Sequence, residues 1–154
     1  MHLPHLIPFD KTPVVFVTAC TRQRQPLLAN PTAHAALRQL WEKSAALNGW
    51  FVGQYLLMPD HVHFFASPRR EACSLADWVR IWKSISASMI NRNTAHRGSV
   101  WQPDYFDRYL RSLDDYQQKW DYVAFNPVRK SLVSNPEDWP HRGVIHDLRL
   151  RKRG

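Results

Sequence analysis

A chain of 154 residues, 44% of them apolar, has the size of one domain and enough apolar material for a core, which excludes wholesale disorder. No run approaches the ~18 apolar residues of a membrane span, Met1-His2-Leu3-Pro4-His5 lacks the regions of a secretory leader, and two cysteines, Cys20 and Cys73, cannot build a zinc knuckle or a disulfide framework. The 21 Lys and Arg against 13 Asp and Glu give a net charge of +8, which points to a polyanionic partner, with a membrane surface the weaker alternative because no helix is basic along a clean apolar face.

Residues 14–20, after Pro13, are β-branched and aromatic and predict a buried strand. Residues 31–48 follow with Ala36, Leu37, Leu40, Trp41 and Leu47 at helical spacing, Pro31 in the first turn and Asn48-Gly49 as the stop. Residues 50–57 predict a second strand and 61–66 a third. The short link Met58-Pro59-Asp60 makes them an antiparallel hairpin. Ser74 opens a second helix with Asp77 three residues on. Its apolar stripe is Leu75, Trp78, Val79, Trp82, Ile85 and Met89, with Arg80 and Lys83 off it. Residues 92–100 read as a polar loop, 105–110 as a fourth strand, and 113–126 as a third helix closed by Pro127.

The rest is a turn-rich tail ending in Arg149, Arg151, Lys152 and Arg153. The order predicts an α+β, ferredoxin-like βαββαβ antiparallel sheet with an added C-terminal helix. The whole chain reads as a single domain, with a core over about 13–128 and a basic tail over 129–154. Both thiols are expected to be small buried groups in a reducing, cytoplasmic setting.

His61 and His63 stand two apart on the third strand. Their side chains share one face, and Val62 points to the other, so both imidazoles can reach one metal ion. On the third helix, Leu113, Tyr116, Gln117, Trp120, Val123 and Ala124 cluster as the core side at ~100° per residue. Tyr122 falls opposite the centre of that stripe, and Asn126 follows one turn later on the side of Tyr122.

These residues sit in blocks that resemble single-tyrosine HUH transposases. Met58-Pro59-Asp60-His61-Val62-His63 is similar to the family's Met-Pro-Asn-His-hydrophobe-His segment. Tyr122-Val123-Ala124-Phe125-Asn126-Pro127-Val128-Arg129, with Leu132-Val133, resembles its Tyr-x-x-x-Asn-Pro-Val-Arg-x-x-Leu-Val segment. Val100-Trp101-Gln102 followed by Phe106-Asp107-Arg108, Lys83 in the second helix, and Phe16-Val17-Thr18 with Arg22 and Pro26-Leu27-Leu28 also fit. The likeness spans about residues 14–140 in the family's order, and Asn126 points to the branch of REP-associated tyrosine transposases. Asp60 departs from the commoner Asn and adds a negative charge beside the histidines. Lys130-Ser131 departs from the usual Ala-Gly.

The resemblance implies cleavage and rejoining of single-stranded DNA beside hairpins of repetitive elements, by a cytoplasmic, nucleoid-associated enzyme working as a monomer or homodimer. It implies that Tyr122 is the nucleophile, forming a 5′-phosphotyrosine, and that His61, His63 and Asn126 hold a divalent metal, Mg²⁺ or Mn²⁺. Imidazole donors alone would favour zinc or other transition metals. Asp60, Asp121 and a metal-bound water all remain open as the base that activates the phenol. Arg80, Lys83, Arg108, Arg129, Arg149, Arg151, Lys152 and Arg153 are candidate phosphate contacts, and Trp101, in a polar loop, is the candidate base-stacking residue. A non-catalytic ferredoxin-like module binding single-stranded DNA or RNA would show the same charge but would not need His61, His63 and Tyr122 together. A histidine-triad phosphoesterase would need a further His where Phe65 stands.

Overall fold

The computed structural model describes residues 13–148. Five strands form one antiparallel sheet in the order β4-β1-β3-β2-β5. They are β1 (Val15–Cys20), β2 (Trp50–Met58), β3 (His61–Pro68), β4 (Phe106–Tyr109) and β5 (Arg142–Val144). Helix α1 (Pro31–Asn48) links β1 to β2, and α2 (Leu75–Asn93) links β3 to β4. Helix α3 (Leu113–Ala124) and the single turn α4 (Asn126–Arg129) follow β4. The first four strands make the expected ferredoxin-like sheet, and the added helix is α3.

Alternation along the two central strands sorts the core into two layers. Val15, Val17 and Ala19 of β1 and Val62, Phe64 and Ala66 of β3 face α1 and α2, where they meet Leu37, Trp41, Trp78 and Trp82. Phe16 and Phe65 point the other way, to Tyr116, Trp120 and Val123 of α3 and to Trp139 and Leu148 of the tail. The same alternation carries His61 and His63 to the α3 side. Two glycines make this packing possible. Gly49, at φ +82°, ends α1 in the left-handed region, and a Cβ there would lie 2.7 Å from the Cα of Ala72. Gly53 sits where the β2–β3 register shifts, and a Cβ would lie 2.8 Å from Leu148.

Ser74 caps α2 as the sequence reading has it, and Asn30 and Ser112 likewise accept a backbone N–H of the first turn of α1 and α3. Five expectations are corrected. The buried face of α2 is rotated: Ile85 is 44% exposed, while Lys83 and Ser86 are inside. Lys83 Nζ donates to the carbonyls of Gln102 and Asp104, both at 2.8 Å, and Ser86 Oγ accepts from the Trp101 indole at 2.9 Å, so these polar groups are buried with partners. Leu113 and Gln117 are exposed, which narrows the core face of α3 to Tyr116, Trp120, Val123 and Ala124. The tail is not turns alone, because β5 pairs with β2 and covers that edge.

Helix α3 also stops at Ala124, two residues before its expected end, and the chain turns again at Asn126. Pro127 has no N–H to give to the ladder. Both cysteines are free and half-buried, which corrects the expectation of buried thiols. No helix among the described residues is long and apolar enough to cross a membrane.

Candidate active site

The site is built on the centre of the sheet. In register, Thr18 of β1 and Leu56 of β2 flank His63, and Cys20 and Met58 flank His61. The two imidazole rings lie 4.7 Å apart, nearly perpendicular. Phe16 stacks on His63 with ring centroids at 5.4 Å.

Hydrogen-bond chemistry decides which ring nitrogen each histidine presents. Asp60 Oδ1 lies 2.8 Å from His61 Nδ1. A carboxylate only accepts, so Nδ1 carries the proton and Nε2 keeps its lone pair. His63 follows by a longer chain. Arg129 Nη2 can only donate, and it lies 3.2 Å from Asn126 Oδ1. The Asn126 Nδ2 then donates to His63 Nε2 at 3.1 Å, and His63 Nδ1 donates to Thr18 Oγ1 at 2.8 Å. Both histidines therefore carry the proton on Nδ1, the tautomer in which Nε2 ligates a cation.

Burial, with His61, Lys119 and Arg129 nearby, pushes His63 down to about 3. Burial also lowers His61, with Asp60 opposing it. Both rings are neutral near pH 7, as ligands must be. Asp60 is pushed up by partial burial, but the hydrogen bonds from His61 and Arg24 outweigh this and hold it below the usual carboxylate range.

The end of α3 supplies the other half. Asn126 reaches His63 as described. Tyr122, one turn earlier, is 64% exposed, and the Arg129 guanidinium lies 3.8 Å from its ring centroid. Arg129 thus touches both the phenol and the amide. The structure brings His61, His63, Asn126, Tyr122 and Arg129 together, and α3 docks on the sheet of its own chain to do so.

Residues 13–117 match the model of the family described as "Transposase IS200 like". The chain belongs to the IS200-like transposase family. It is 27% identical over 120 residues to the REP-associated tyrosine transposase of Escherichia coli K12, covering 75% of this chain and 66% of that one. A Haemophilus influenzae protein provisionally given the same name is 22% identical over 102 residues, covering 60% of this chain and 58% of that one. The chain thus spans about two thirds or less of these relatives' lengths. Its fold is that of a REP-associated tyrosine transposase solved bound to a REP hairpin. That structure has a TM-score of 0.71 and 23% identity, and the match covers 84% of this chain and 75% of that one. Tyr122 and Asn126 lie beyond the 13–117 match.

The remaining DNA contacts expected from the sequence lie elsewhere. Arg80 pairs with Asp77 at 2.7 Å, and Arg108 with Asp115 at 2.9 Å, both on the surface. Arg80, Lys83 and Trp101 line a cavity of about 540 Å³ beside α2, which none of the histidine-site residues lines. Trp101 is 8% exposed and lies edge-on to Trp82, so it is a core residue and not a loop platform. Arg149, Arg151, Lys152 and Arg153 lie outside the described residues.

Sequence reasoning missed Thr18 as a histidine partner, and also the basic rim: Arg24, Lys119 and Lys130 act electrostatically on the two histidines beside Arg129. Thr18 carried a signal in its alternation with Phe16, but its pairing to His63 is a matter of register.

Among the described residues no three His, Cys, Asp or Glu side chains cluster as a metal site. The two Nε2 atoms share one face of β3, and with the Asn126 amide turned so that its oxygen replaces its Nδ2 beside His63 they would fit a divalent cation that keeps open positions for oxygen ligands.

Proposed function

We propose that the chain is a single-stranded DNA nickase and strand transferase acting beside hairpins of repetitive elements. One observation carries this reading: Asn126 sits on His63 while Tyr122 lies one turn before it under Arg129. A nucleophile and a cation-binding pair are thereby tied to one short segment.

In this reading the Tyr122 Oη attacks the scissile phosphorus. The bond from phosphorus to the 3′-oxygen breaks, a phosphotyrosine forms with the 5′ end, and the phenolic proton leaves to a base or to water while the 3′-oxygen gains one. A second 3′-hydroxyl reverses the step and joins strands, with no nucleotide cofactor. A phenol with a pKa near 10 is a weak nucleophile at neutral pH. His61 and His63 through Nε2 would hold Mg²⁺ or Mn²⁺, and Asn126 would join them through its side-chain oxygen once its amide turns over, since in this structure its Nδ2 faces His63 and its Oδ1 faces Arg129. Such a cation neutralises charge on the phosphate.

Arg24, Lys119, Arg129 and Lys130 surround the histidines with positive charge suited to the flanking phosphates. The tail residues Arg149, Arg151, Lys152 and Arg153 are further candidate phosphate contacts. The structural neighbour bound to a REP hairpin supports hairpin DNA as the partner class. Docking of α3 on its own sheet supports a site completed within one chain. The transposase would work in the cytoplasm on the nucleoid.

The test is a labelled single-stranded hairpin from the host's repeats, incubated with Mn²⁺ or Mg²⁺, with chelator, and with Tyr122→Phe, on a denaturing gel. A metal-dependent covalent band that vanishes in Tyr122→Phe is expected. Binding with no adduct on several repeat substrates and both metals would instead favour the non-catalytic module.

A further inference from the structure

Asp60 stands where the family commonly has Asn, and its carboxylate is fully engaged. Oδ1 accepts from His61 Nδ1 at 2.8 Å, and Oδ2 accepts from Arg24 Nε at 3.0 Å. The backbone on both sides is tied down to hold this triad. Thr21 N and Thr21 Oγ1 both donate to the Asp60 carbonyl, at 2.9 and 3.1 Å, and Leu28 N donates to the Pro59 carbonyl at 3.0 Å. Gln23 and Arg24 both sit at φ +55°, a left-handed conformation that is unfavourable for a side-chain-bearing residue. That cost is borne in the short turn whose last side chain, Arg24, lands on Asp60.

We infer that Asp60 is a positioning residue that fixes the His61 ring and strengthens its hold on a divalent cation through its negative charge, with Arg24 locking the carboxylate in place. The physical basis is direct. A carboxylate on Nδ1–H excludes the tautomer that would protonate Nε2, restrains ring rotation, and makes Nε2 a stronger donor. An asparagine oxygen in the same place would supply the first two effects and not the third. His63 has only the neutral Thr18 hydroxyl on its Nδ1, so the two ligands are unequal and His61 is the stronger donor.

The inference rests on the cation-binding reading of His61 and His63, and the experiment separates the two. Mn²⁺ binding to the full chain is measured by the loss of the free-ion EPR signal in wild type, Asp60→Asn, Asp60→Ala and His63→Ala, and the His61 tautomer is read from long-range ¹H–¹⁵N spectra. Asp60→Ala should weaken Mn²⁺ binding about 10–100-fold, the usual range for losing such a partner, and should mix the His61 tautomers. Asp60→Asn should keep the Nδ1–H tautomer and lose about 3–10-fold in affinity, the part that needs charge. Wild-type affinity in both Asp60 variants, with binding lost in His63→Ala, would overturn the role of Asp60 and leave the cation site standing. No Mn²⁺ binding by wild type would overturn both. A melting curve for each variant identifies any that is unfolded, and the Asn variant, nearly isosteric, keeps the comparison valid if the Ala variant does not fold.

Discussion

The Arg129 guanidinium stacks 3.8 Å from the centroid of the Tyr122 ring and donates to Asn126 Oδ1 at 3.2 Å, so one cation ties the phenol to the amide beside His63. A stack of this kind contributes about 0.5–2 kcal/mol. Arg129→Ala should slow formation of the covalent adduct about 10-fold in single turnover, with the thermal midpoint little changed because Arg129 is exposed. Arg129→Lys should recover only part of the rate, since an ammonium lacks the planar fork. An unchanged rate in Arg129→Ala would assign the guanidinium no role in aiming Tyr122.

Tyr122 itself carries little of the fold. It is 64% exposed and lies off the buried face of α3. Tyr122→Phe should shift unfolding free energy by less than about 0.5 kcal/mol and should abolish the adduct, with hairpin affinity retained. Denaturant titration and a gel-shift assay on the same preparation check both halves. A residual adduct in the Phe variant would show that another residue is the nucleophile.

Trp101 and Lys83 should act on stability before they act on DNA. Trp101 lies edge-on to Trp82 and donates to buried Ser86, and Lys83 clamps two carbonyls of the segment that follows Trp101. Trp101→Ala should cost about 3–5 kcal/mol, as for other buried aromatics. Trp101→Phe should cost about 1–3 kcal/mol by leaving Ser86 without its indole donor. Urea unfolding measures both. Full stability in Trp101→Ala, with hairpin binding lost, would restore Trp101 as a stacking residue.

Acid should weaken the fold through the site histidines. Burial, with His61, Lys119 and Arg129 nearby, lowers His63 from 6.5 to about 3, so between those values the unfolded chain binds more protons than the folded one. The contribution is complete above pH 6.5 and is lost as pH falls toward 3. At 1.36 kcal/mol per pH unit, His63 alone accounts for roughly 2–3 kcal/mol between pH 6.5 and 4.5. Asp60 is held low, so its contribution is present above 3.8 and is lost only on further acidification.

The urea midpoint should therefore fall steadily from pH 7 to 4.5. His63→Gln should flatten that slope without abolishing it, because burial also lowers His34, His61 and His141. A flat wild-type midpoint over this range would contradict the burial of a neutral His63.

What the sequence by itself determined is what depends on neighbours a few residues apart. Period-two alternation set His61, His63 and Phe65 on one face of β3 and Val62 and Phe64 on the other. Capping and proline chemistry bounded α1, α2 and the end of α3 within a residue or two, and helical phase turned Tyr122 away from the core. The tertiary structure decided which distant groups meet. Strand register set Thr18 against His63, and docking of α3 set Asn126 on the same ring. Lys83 turned inward because the 102–104 segment offers carbonyls that no periodicity reveals. Arg129, a surface cation by pattern, lies over the Tyr122 ring, 3.8 Å from its centroid. Asp60 was visible as an unusual charge, but its bond to His61 and the left-handed turn that brings Arg24 onto its second oxygen belong to the fold. Short-range periodicity carries no information about such pairings, which arise only when register and close packing leave each buried polar group a single geometry that satisfies it.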